Sequence, residues 1–295
     1  MVQLLPGVSA QHTIEIVEDA SREAGNVLGR TYTGIDLLNA YREWSNNQTR
    51  MLGSVLVSRS LEFLVLTRRY WMLQELDPAA YGNSLASVVS LELSSATRRL
   101  DEAAAALKLR RDSWSTFMQG GAISGKRHAI VLDTNVLLRH YSELASVEWN
   151  LPLNVRPHEA ITLGIPIAVV EELDSLKLSN ASMNIRGVKH ATRTLARHAL
   201  KVLDELFPAQ WHRSDLRLSG PDENGINGEL HAVLMIDDLD HVRLPDTDAE
   251  IIDRARELTA FATTVAVASY DNALLFRARN EGLNAFKPEN DLEEQ

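Results

Sequence analysis

The chain has 295 residues, of which 45% are hydrophobic and 24% are charged, and its net charge is −10. This length predicts two domains, and the composition is that of a folded globular protein and not of a disordered one. Because the chain has no cysteine, a disulfide scaffold, a thiolate zinc site, an iron–sulfur cluster and a cysteine nucleophile are excluded.

Residues 1–120 predict an all-α helical module, with helices over about 12–28, 34–75 and 84–118. The third helix carries an apolar seam whose members recur every three or four residues, as in a coiled coil. The seam consists of Leu85, Val89, Leu93, Ala96, Leu100, Ala103 and Leu107. A seam this apolar has to be covered, so we expect the module to serve oligomerisation or partner binding and the protein to form a homo-oligomer.

Residues 119–125 are rich in glycine and predict a short linker. From Gly120 to Lys126 the chain matches the pattern of a phosphate-binding loop. Arg127 follows, where Mg²⁺ ligation by such a loop needs Ser or Thr, and the predicted order is helix, loop, strand instead of strand, loop, helix. The sequence therefore favours a plain linker.

Residues 126–290 alternate strand and helix, which predicts an α/β domain with a mostly parallel sheet flanked by helices. We expect strands at 129–132, 165–170 and 263–268, and helices at 181–207, 248–261 and 273–281. The segment 211–244 is a less regular insert in this prediction, with a hairpin tip at 222–225.

Acidic residues follow or adjoin these strands. Asp133 ends the first strand, Glu172 follows the second, Asp271 follows the third, and Asp248 opens the helix before the third. The carboxyl ends of parallel strands meet at one edge of a sheet, so four carboxylates would converge there. Since clustered like charges raise each other's pKa, we expect oxygen-ligated Mg²⁺ or Mn²⁺ to neutralise them. Such ions can activate water against a phosphodiester.

Around these acids four segments occur in a fixed order: HAIVLDTNVLL, IPIAVVEELDSLK, DTDAEIIDRA and VAVASYDNALLFRARNEG. In order and spacing they resemble the motifs of the PIN-domain ribonuclease family, over about residues 128–288. The resemblance implies a metal-dependent endoribonuclease that leaves 5′-phosphate and 3′-hydroxyl ends on RNA. It implies Asp133, Glu172, Asp248 and Asp271 as catalytic, metal-binding residues, with Asn135 and Ser269 supporting them.

Other readings of these acids remain open. Glu171 competes with Glu172 as the ligand, and at most one of two consecutive residues leaving a strand can point into the site. Three further acids compete with Asp248, namely Asp246, Glu250 and Asp253. A haloacid-dehalogenase-type phosphatase would need Asp where Asn135 stands. The acids could also be helix caps and surface charges.

A basic stretch follows the second acidic motif. Between Ser175 and Leu203 there is no acidic residue. The six cations are Lys177, Arg186, Lys189, Arg193, Arg197 and Lys201. The last four recur every four residues, which predicts one stripe on a helix, and we interpret it as a track for RNA phosphates. A solvated face or pairing with acids elsewhere is the alternative.

The expected partner is RNA, with single-stranded DNA as a further candidate substrate and no membrane association. The N-terminus lacks the pattern of a signal peptide, and the apolar stretch 51–66 is too short to span a bilayer, so we expect a cytoplasmic protein. Two other functions fit the same fold. They are a catalytically silent RNA-binding or scaffold protein, and a nuclease toxin paired with an antitoxin.

Overall fold

The computed structural model describes residues 2–5, 7–30, 32–78, 84–117, 126–208, 212–217, 220–222, 225–237 and 241–288. The chain divides into two compact units, Met1–Ser113 and Trp114–Gln295. The predicted linker at 119–125 lies outside the described residues. Among the helices of the described ranges, none has both the length and the apolarity needed to cross a membrane.

The described part of the first unit is helical. Its helices are α1 (Ala10–Leu28), α2 (Gly34–Gly53), α3 (Ser58–Leu64), α4 (Arg68–Glu75) and α5 (Leu85–Phe117), the last of which runs on past Ser113. The helix predicted over 34–75 is divided into α2, α3 and α4. One break arises because the backbone after α2 pairs with the N-terminal segment, with the amide of Leu5 donating to the carbonyl of Val55 at 2.9 Å. At the other break Thr67 caps α4.

The apolar seam of α5 forms part of the core of this unit. From Leu85 to Leu107 its seven members are at most 5% exposed, and they pack with buried residues of α1, α2 and α4. The helical prediction for this segment is confirmed. Because the unit covers the seam itself, the seam gives no support to self-association, and the homo-oligomer stays a prediction.

The second unit is built of alternating strands and helices. Its first half contains β1 (His128–Leu132), α6 (Thr134–His140), α7 (Asn150–Leu153), β2 (Ile161–Pro166), α8 (Ile167–Leu176), β3 (Ser182–Ile185), β4 (Val188–Ala191) and α9 (Thr192–Leu206). Its second half contains β5 (Arg213–Arg217), β6 (Gly220–Asp222), β7 (Gly225–Asn227), β8 (Leu230–Met235), α10 (Thr247–Leu258), β9 (Thr264–Ala268), α11 (Asn272–Asn280) and β10 (Asn284–Phe286).

Six strands form one sheet in the order β10-β9-β1-β2-β8-β5. All neighbouring pairs are parallel except β5 with β8, which is antiparallel. Every residue of β1 and β2 is buried, as expected of central parallel strands covered by helices on both faces. The predicted fold class, a mostly parallel α/β sheet preceded by a helical module, is confirmed.

The prediction of a strand at 165–170 is wrong in position. The strand is β2, which ends at Pro166, and Ile167–Leu176 is helical. A short apolar run rich in Val and Ile fits a buried strand and a buried helix equally well by its pattern. As a consequence Glu171 and Glu172 lie on a helix and do not leave a strand on opposite faces.

The helix predicted over 181–207 is also wrong in its first part. Residues 182–191 form an antiparallel hairpin of β3 and β4, and only α9 is helical. The two-residue turn of the hairpin is Arg186-Gly187, with φ of 49° and 77°. Positive φ at both central residues is the mark of a type I′ hairpin turn, and Gly187 takes this conformation without strain.

The insert 211–244 contributes to the main sheet. Its strands β8 and β5 extend the sheet beyond β2, which the sequence did not predict. The predicted hairpin is present as β6 and β7, where Asp222 pairs with Gly225. The two tip residues between them lie outside the described residues.

Candidate active site

The site begins at the carboxyl edge of the sheet, where β1 and β9 end side by side. Leu132 pairs with Ala268 in the parallel register. The next residues, Asp133 and Ser269, therefore emerge together. The backbone continues the pairing for one more step, because the amide of Asp133 donates to the carbonyl of Ala268 at 3.1 Å. The sheet itself thus sets the position of the first acid.

Asp133 is a buried carboxylate, only 5% exposed. One oxygen accepts from the amide of Thr134 at 2.6 Å, and the other accepts from the hydroxyl of Ser269 at 2.5 Å. Burial raises the pKa of Asp133 to about 6, and these two hydrogen bonds only partly offset that rise. The negative charges of Asp248 and Glu172 add to it, so three of the predicted acids interact electrostatically.

Glu172 reaches this site from α8. Its carboxylate accepts a hydrogen bond from the hydroxyl of Thr134 at 2.6 Å, and Thr134 is the residue next to Asp133. Glu171 is exposed and forms an ion pair with Arg243 instead. Of the two consecutive glutamates, Glu172 is the one that lies with the other acids.

Asp248 stands in the first turn of α10, and Arg277 of α11 forms ion pairs with both Asp248 and Asp246. Burial is the main cause that raises the pKa of Asp248. Arg277 opposes this rise, whereas Asp246, Asp271 and Glu172 add to it. The charge of Asp248 is therefore close to those of the other acids, and Arg277 compensates only part of the cluster.

Asp271 caps α11, and its side chain accepts from the amide of Ala273 at 2.7 Å. Its own amide donates to the hydroxyl of Ser269 at 2.8 Å. Asn135 completes the contacts, because its carbonyl oxygen accepts from the amide of Tyr270 at 2.9 Å. Ser269 and Asn135 thus hold the turn that carries Asp271 against the start of α6. All four predicted acids and both supporting residues lie at this edge of the sheet, where the acids are linked by electrostatic interactions and by shared hydrogen-bond partners.

The competing acids near Asp248 have other surroundings. Glu250 is buried and accepts from His241 at 2.7 Å and from Arg254 at 3.1 Å. Asp246 shares Arg277 with Asp248 but lies before the helix. Asp253 lies further along α10 and has no ion pair with a described residue.

A second cluster of possible metal ligands contains none of the four acids. Donor atoms of Asp237, His241 and Glu250 lie within 4.8 Å of one another, and in the described ranges this is the one group of three acid or histidine ligands that close together. Arg254 lies 3.2 Å from Asp237 and 3.1 Å from Glu250. Because Arg254 bridges these two carboxylates and Arg243 also pairs with Asp237, we interpret this group as an ionic network that fixes the start of α10.

The basic residues do not form the single helical stripe that the sequence predicted. Lys189 lies on β4, since 182–191 is a hairpin, and only three of the four lie on α9. Arg193, Arg197 and Lys201 are exposed there, and Lys201 pairs with Glu205. The two earlier cations form ion pairs, Lys177 with Asp174 and Arg186 with Glu143.

Two contributors to the site were not predicted. Thr134 belongs to the first motif and bridges Asp133 to Glu172, so the motif itself was a signal for it. Arg277 lies six residues after Asp271 and pairs across to α10. Nothing in the local sequence distinguishes it from Arg279, the other arginine of α11, because its role depends on how the two helices pack.

Two comparisons with known proteins bear on this site. A family model described as PIN domain matches residues 130–289, which contain all four acids. The chain matches no curated protein at a significant level.

Proposed function

The chain belongs to the PIN-domain family, whose fold is of the nuclease type, and we propose that it is a metal-dependent endoribonuclease. Its second unit would hydrolyse phosphodiester bonds of RNA at the four-acid site. Asp133, Glu172, Asp248 and Asp271 would hold Mg²⁺ or Mn²⁺, and Asn135 and Ser269 would orient them.

The convergence of the four acids at the carboxyl edge of the sheet carries this proposal. The residues fit a hard divalent cation because every candidate ligand is a carboxylate oxygen. Charge compensation in the cluster is incomplete. Arg277 pairs with Asp248, whereas Asp133 is buried with a pKa of about 6 and, among the described residues, accepts hydrogen bonds from the uncharged Thr134 amide and Ser269 hydroxyl. A cation would supply that missing compensation.

When bound, such an ion activates a water molecule and stabilises the leaving oxygen of a phosphodiester. The residues of the chain have separate tasks around it. Ser269 and the amide of Thr134 fix the two oxygens of Asp133, and the Thr134 hydroxyl fixes Glu172. Arg277 restrains Asp248 and brings a positive charge to the rim, where it can face a phosphate.

The proposal is tested by incubating the full chain with end-labelled single-stranded RNA, duplex RNA and single-stranded DNA. Each substrate is tested with Mn²⁺, with Mg²⁺ and with EDTA. We expect internal cleavage of RNA with either ion, no cleavage with EDTA, and products that carry 5′-phosphate ends. Cleavage that persists in EDTA, or RNA left intact with both ions, would refute the proposal.

The two consecutive glutamates of α8 provide a matched test of the assigned site. We expect Glu172→Gln to lower the cleavage rate at least about a hundredfold, because a metal ligand contributes several kcal/mol to the transition state. Glu171→Gln should stay within about twofold of the parent protein, since Glu171 is exposed and pairs with Arg243. The measurement is the single-turnover cleavage rate of each variant. A larger loss of rate in Glu171→Gln than in Glu172→Gln would reassign the ligand to Glu171.

We propose that the RNA runs along exposed cations of β4 and α9. Lys189, Arg193 and Arg197 are exposed and have no acidic partner among the described residues. Lys189 and Arg193 line a cavity of about 340 Å³ together with the polar residues Ser179 and Ser182. The helix α9 packs against α8, which carries Glu172, and against α6. These features support a phosphate track beside the acids.

We expect Arg193→Gln/Arg197→Gln to weaken binding of all RNA sequences alike. The slope of log affinity against log salt should fall by about 1.4, since each phosphate contact contributes about 0.7 on single strands. The measurement is a salt titration of RNA binding in an Asp133→Asn background, which prevents cleavage. The control is Arg22→Gln/Arg98→Gln, which removes the same charge from exposed positions of the helical unit. Equal slopes in the two double variants would mean that α9 does not contact the RNA.

A further inference from the structure

A cavity of about 570 Å³ lies between α10 and α11, and we call it the α10–α11 groove. Its apolar lining includes Leu244, Ile252 and Phe276, and its polar lining includes Asp253 and Asn280. Arg256 and Glu281 also line it and pair with each other. The volume is in the range of small-ligand sites. The groove therefore combines apolar surface with hydrogen-bonding groups.

The groove adjoins the acidic site directly. Arg277 lines the groove, and the same side chain forms the ion pair with Asp248. A polymer bound with one phosphate at the acids would thus present its neighbouring unit to the groove. Any occupant of the groove would touch the residue that holds Asp248 in place.

Phe276 is the most unusual residue of the groove. It is 68% exposed, whereas the core positions of α11 are taken by Leu274, Leu275 and Ala278. Its ring therefore presents an aromatic surface to solvent. The guanidinium of Arg279 lies 6.0 Å from the ring centroid. An aromatic ring beside a cation is a surface on which an unpaired nucleobase stacks.

We propose that the α10–α11 groove binds the base of an unpaired nucleotide next to the scissile phosphate, with Phe276 as the stacking platform. The inference rests on the proposed function and deepens it, since it assigns a base-binding surface beside the four acids. Bases of a duplex are paired and stacked on each other, and they cannot enter such a groove.

The chemistry of the lining favours a base over an apolar peptide side chain. A base has two apolar faces and a polar edge, and the groove offers both kinds of surface, with apolar Ile252 and Phe276 and polar Asp253 and Asn280. Within the described part of the chain, neither Asp253 nor Asn280 has a side-chain hydrogen bond or ion pair. A purely apolar occupant would cover these two polar groups without satisfying them.

The test measures binding of fluorescent single-stranded and duplex RNA by the full chain carrying Asp133→Asn. We expect Phe276→Ala and Phe276→Leu to weaken single-strand binding on the order of tenfold, as the loss of one stacked base does. Phe276→Trp should bind within about threefold of the parent protein, because it keeps an aromatic face. Duplex binding should not change in any variant.

The matched control is Phe63→Ala, which removes an equally exposed ring, 61% accessible, from α3 of the helical unit. Thermal unfolding should be unchanged in every variant, since both rings are exposed. Unaltered single-strand binding by Phe276→Ala, or equal losses for single-stranded and duplex RNA, would overturn the inference. The inference would also be overturned if the Asp133→Asn chain with Phe276 intact did not bind single-stranded RNA.

The outcomes separate this inference from the proposed function. If the parent chain cleaves RNA with Mn²⁺ but Phe276→Ala binds and cleaves normally, the groove assignment is wrong and the nuclease assignment stands. If Phe276→Ala weakens single-strand binding but the parent chain never cleaves, the groove binds RNA and the proposed catalysis is wrong.

Discussion

Replacing Asp133 by Asn should lower metal-dependent RNA cleavage at least about a thousandfold while the protein stays folded. A metal centre contributes several kcal/mol to the transition state, and each 1.4 kcal/mol changes a rate tenfold. The amide oxygen of Asn can still accept from the Thr134 amide, and its NH2 group can donate to the Ser269 hydroxyl oxygen. Burial raises the pKa of Asp133 to about 6, because the ionised carboxylate is costly in this environment. Replacing it by a neutral amide removes this cost, so the free energy of unfolding without metal should not decrease.

The measurement is the single-turnover cleavage rate with saturating Mn²⁺, accompanied by thermal unfolding in EDTA. Asp204→Asn is the matched control, because Asp204 is an exposed residue of α9 that lies away from the acids. Its cleavage rate should stay within about twofold. A folded Asp133→Asn protein that cleaves at the parental rate would rule out this acid as part of the catalytic site.

Gly228→Ala should destabilise the second unit strongly. Gly228 precedes β8, and its amide donates to the carbonyl of Pro157 at 2.6 Å. A Cβ atom there would fall 2.8 Å from the carbonyl carbons of His158 and Glu159, and still closer to the Glu159 oxygen. These atoms belong to the backbone and cannot turn away, so the segment before β2 would have to move. Overpacking of this kind costs about 1–3 kcal/mol or more.

Thermal unfolding measures the effect of Gly228→Ala, and a domain of this size loses roughly 2–4 °C per kcal/mol. Gly25→Ala is the control, since Gly25 lies inside α1 with no atom within 4 Å of an added Cβ. Alanine favours helix over glycine, so this change should be neutral or stabilising. If Gly228→Ala unfolds at the same temperature as the parent protein, the loop at Glu159 can move at little energetic cost.

The sequence was sufficient for those parts of the fold where a local pattern has one structural solution. The seam from Leu85 to Leu107 was predicted as a long helix and the apolar run before Asp133 as a short buried strand, and the structure has both. The run 165–170 has two solutions, because Val and Ile fit buried strands and buried helices. Pro166 decides between them, since it ends β2 and precedes the first turn of α8.

Asp133, Asp248 and Asp271 were predictable because each stands at the end of a strand or the start of a helix, whereas Glu172 lies within α8 and was identified by its motif. Their convergence follows from parallel topology, which brings the ends of β1 and β9 together at Asp133 and Ser269. The choice between Glu171 and Glu172 was not predictable. It depends on the rotation of α8, which turns Glu172 toward Thr134 and Glu171 toward Arg243.

The remaining features depend on contacts between distant segments. Arg277 joins the site only because α11 packs beside α10. The strand β8 was missed because it lies in a segment whose turn-rich centre suggests a loose insert. The hairpin of β3 and β4 was missed because the regular spacing of the cations from Lys189 to Lys201 suggested one continuous helix, although Arg186-Gly187 is a turn signal.

The proposed function requires that the divalent ion is held by the four acids and not by the network of Asp237, His241 and Glu250. Electron paramagnetic resonance counts free Mn²⁺ and so gives the affinity of the parent chain, of Asp133→Asn and of His241→Gln in parallel. We expect Mn²⁺ binding in the parent, the same affinity in His241→Gln, and a loss of at least about tenfold in Asp133→Asn. Parental affinity in Asp133→Asn with lost binding in His241→Gln would contradict the assignment of the metal to the four acids.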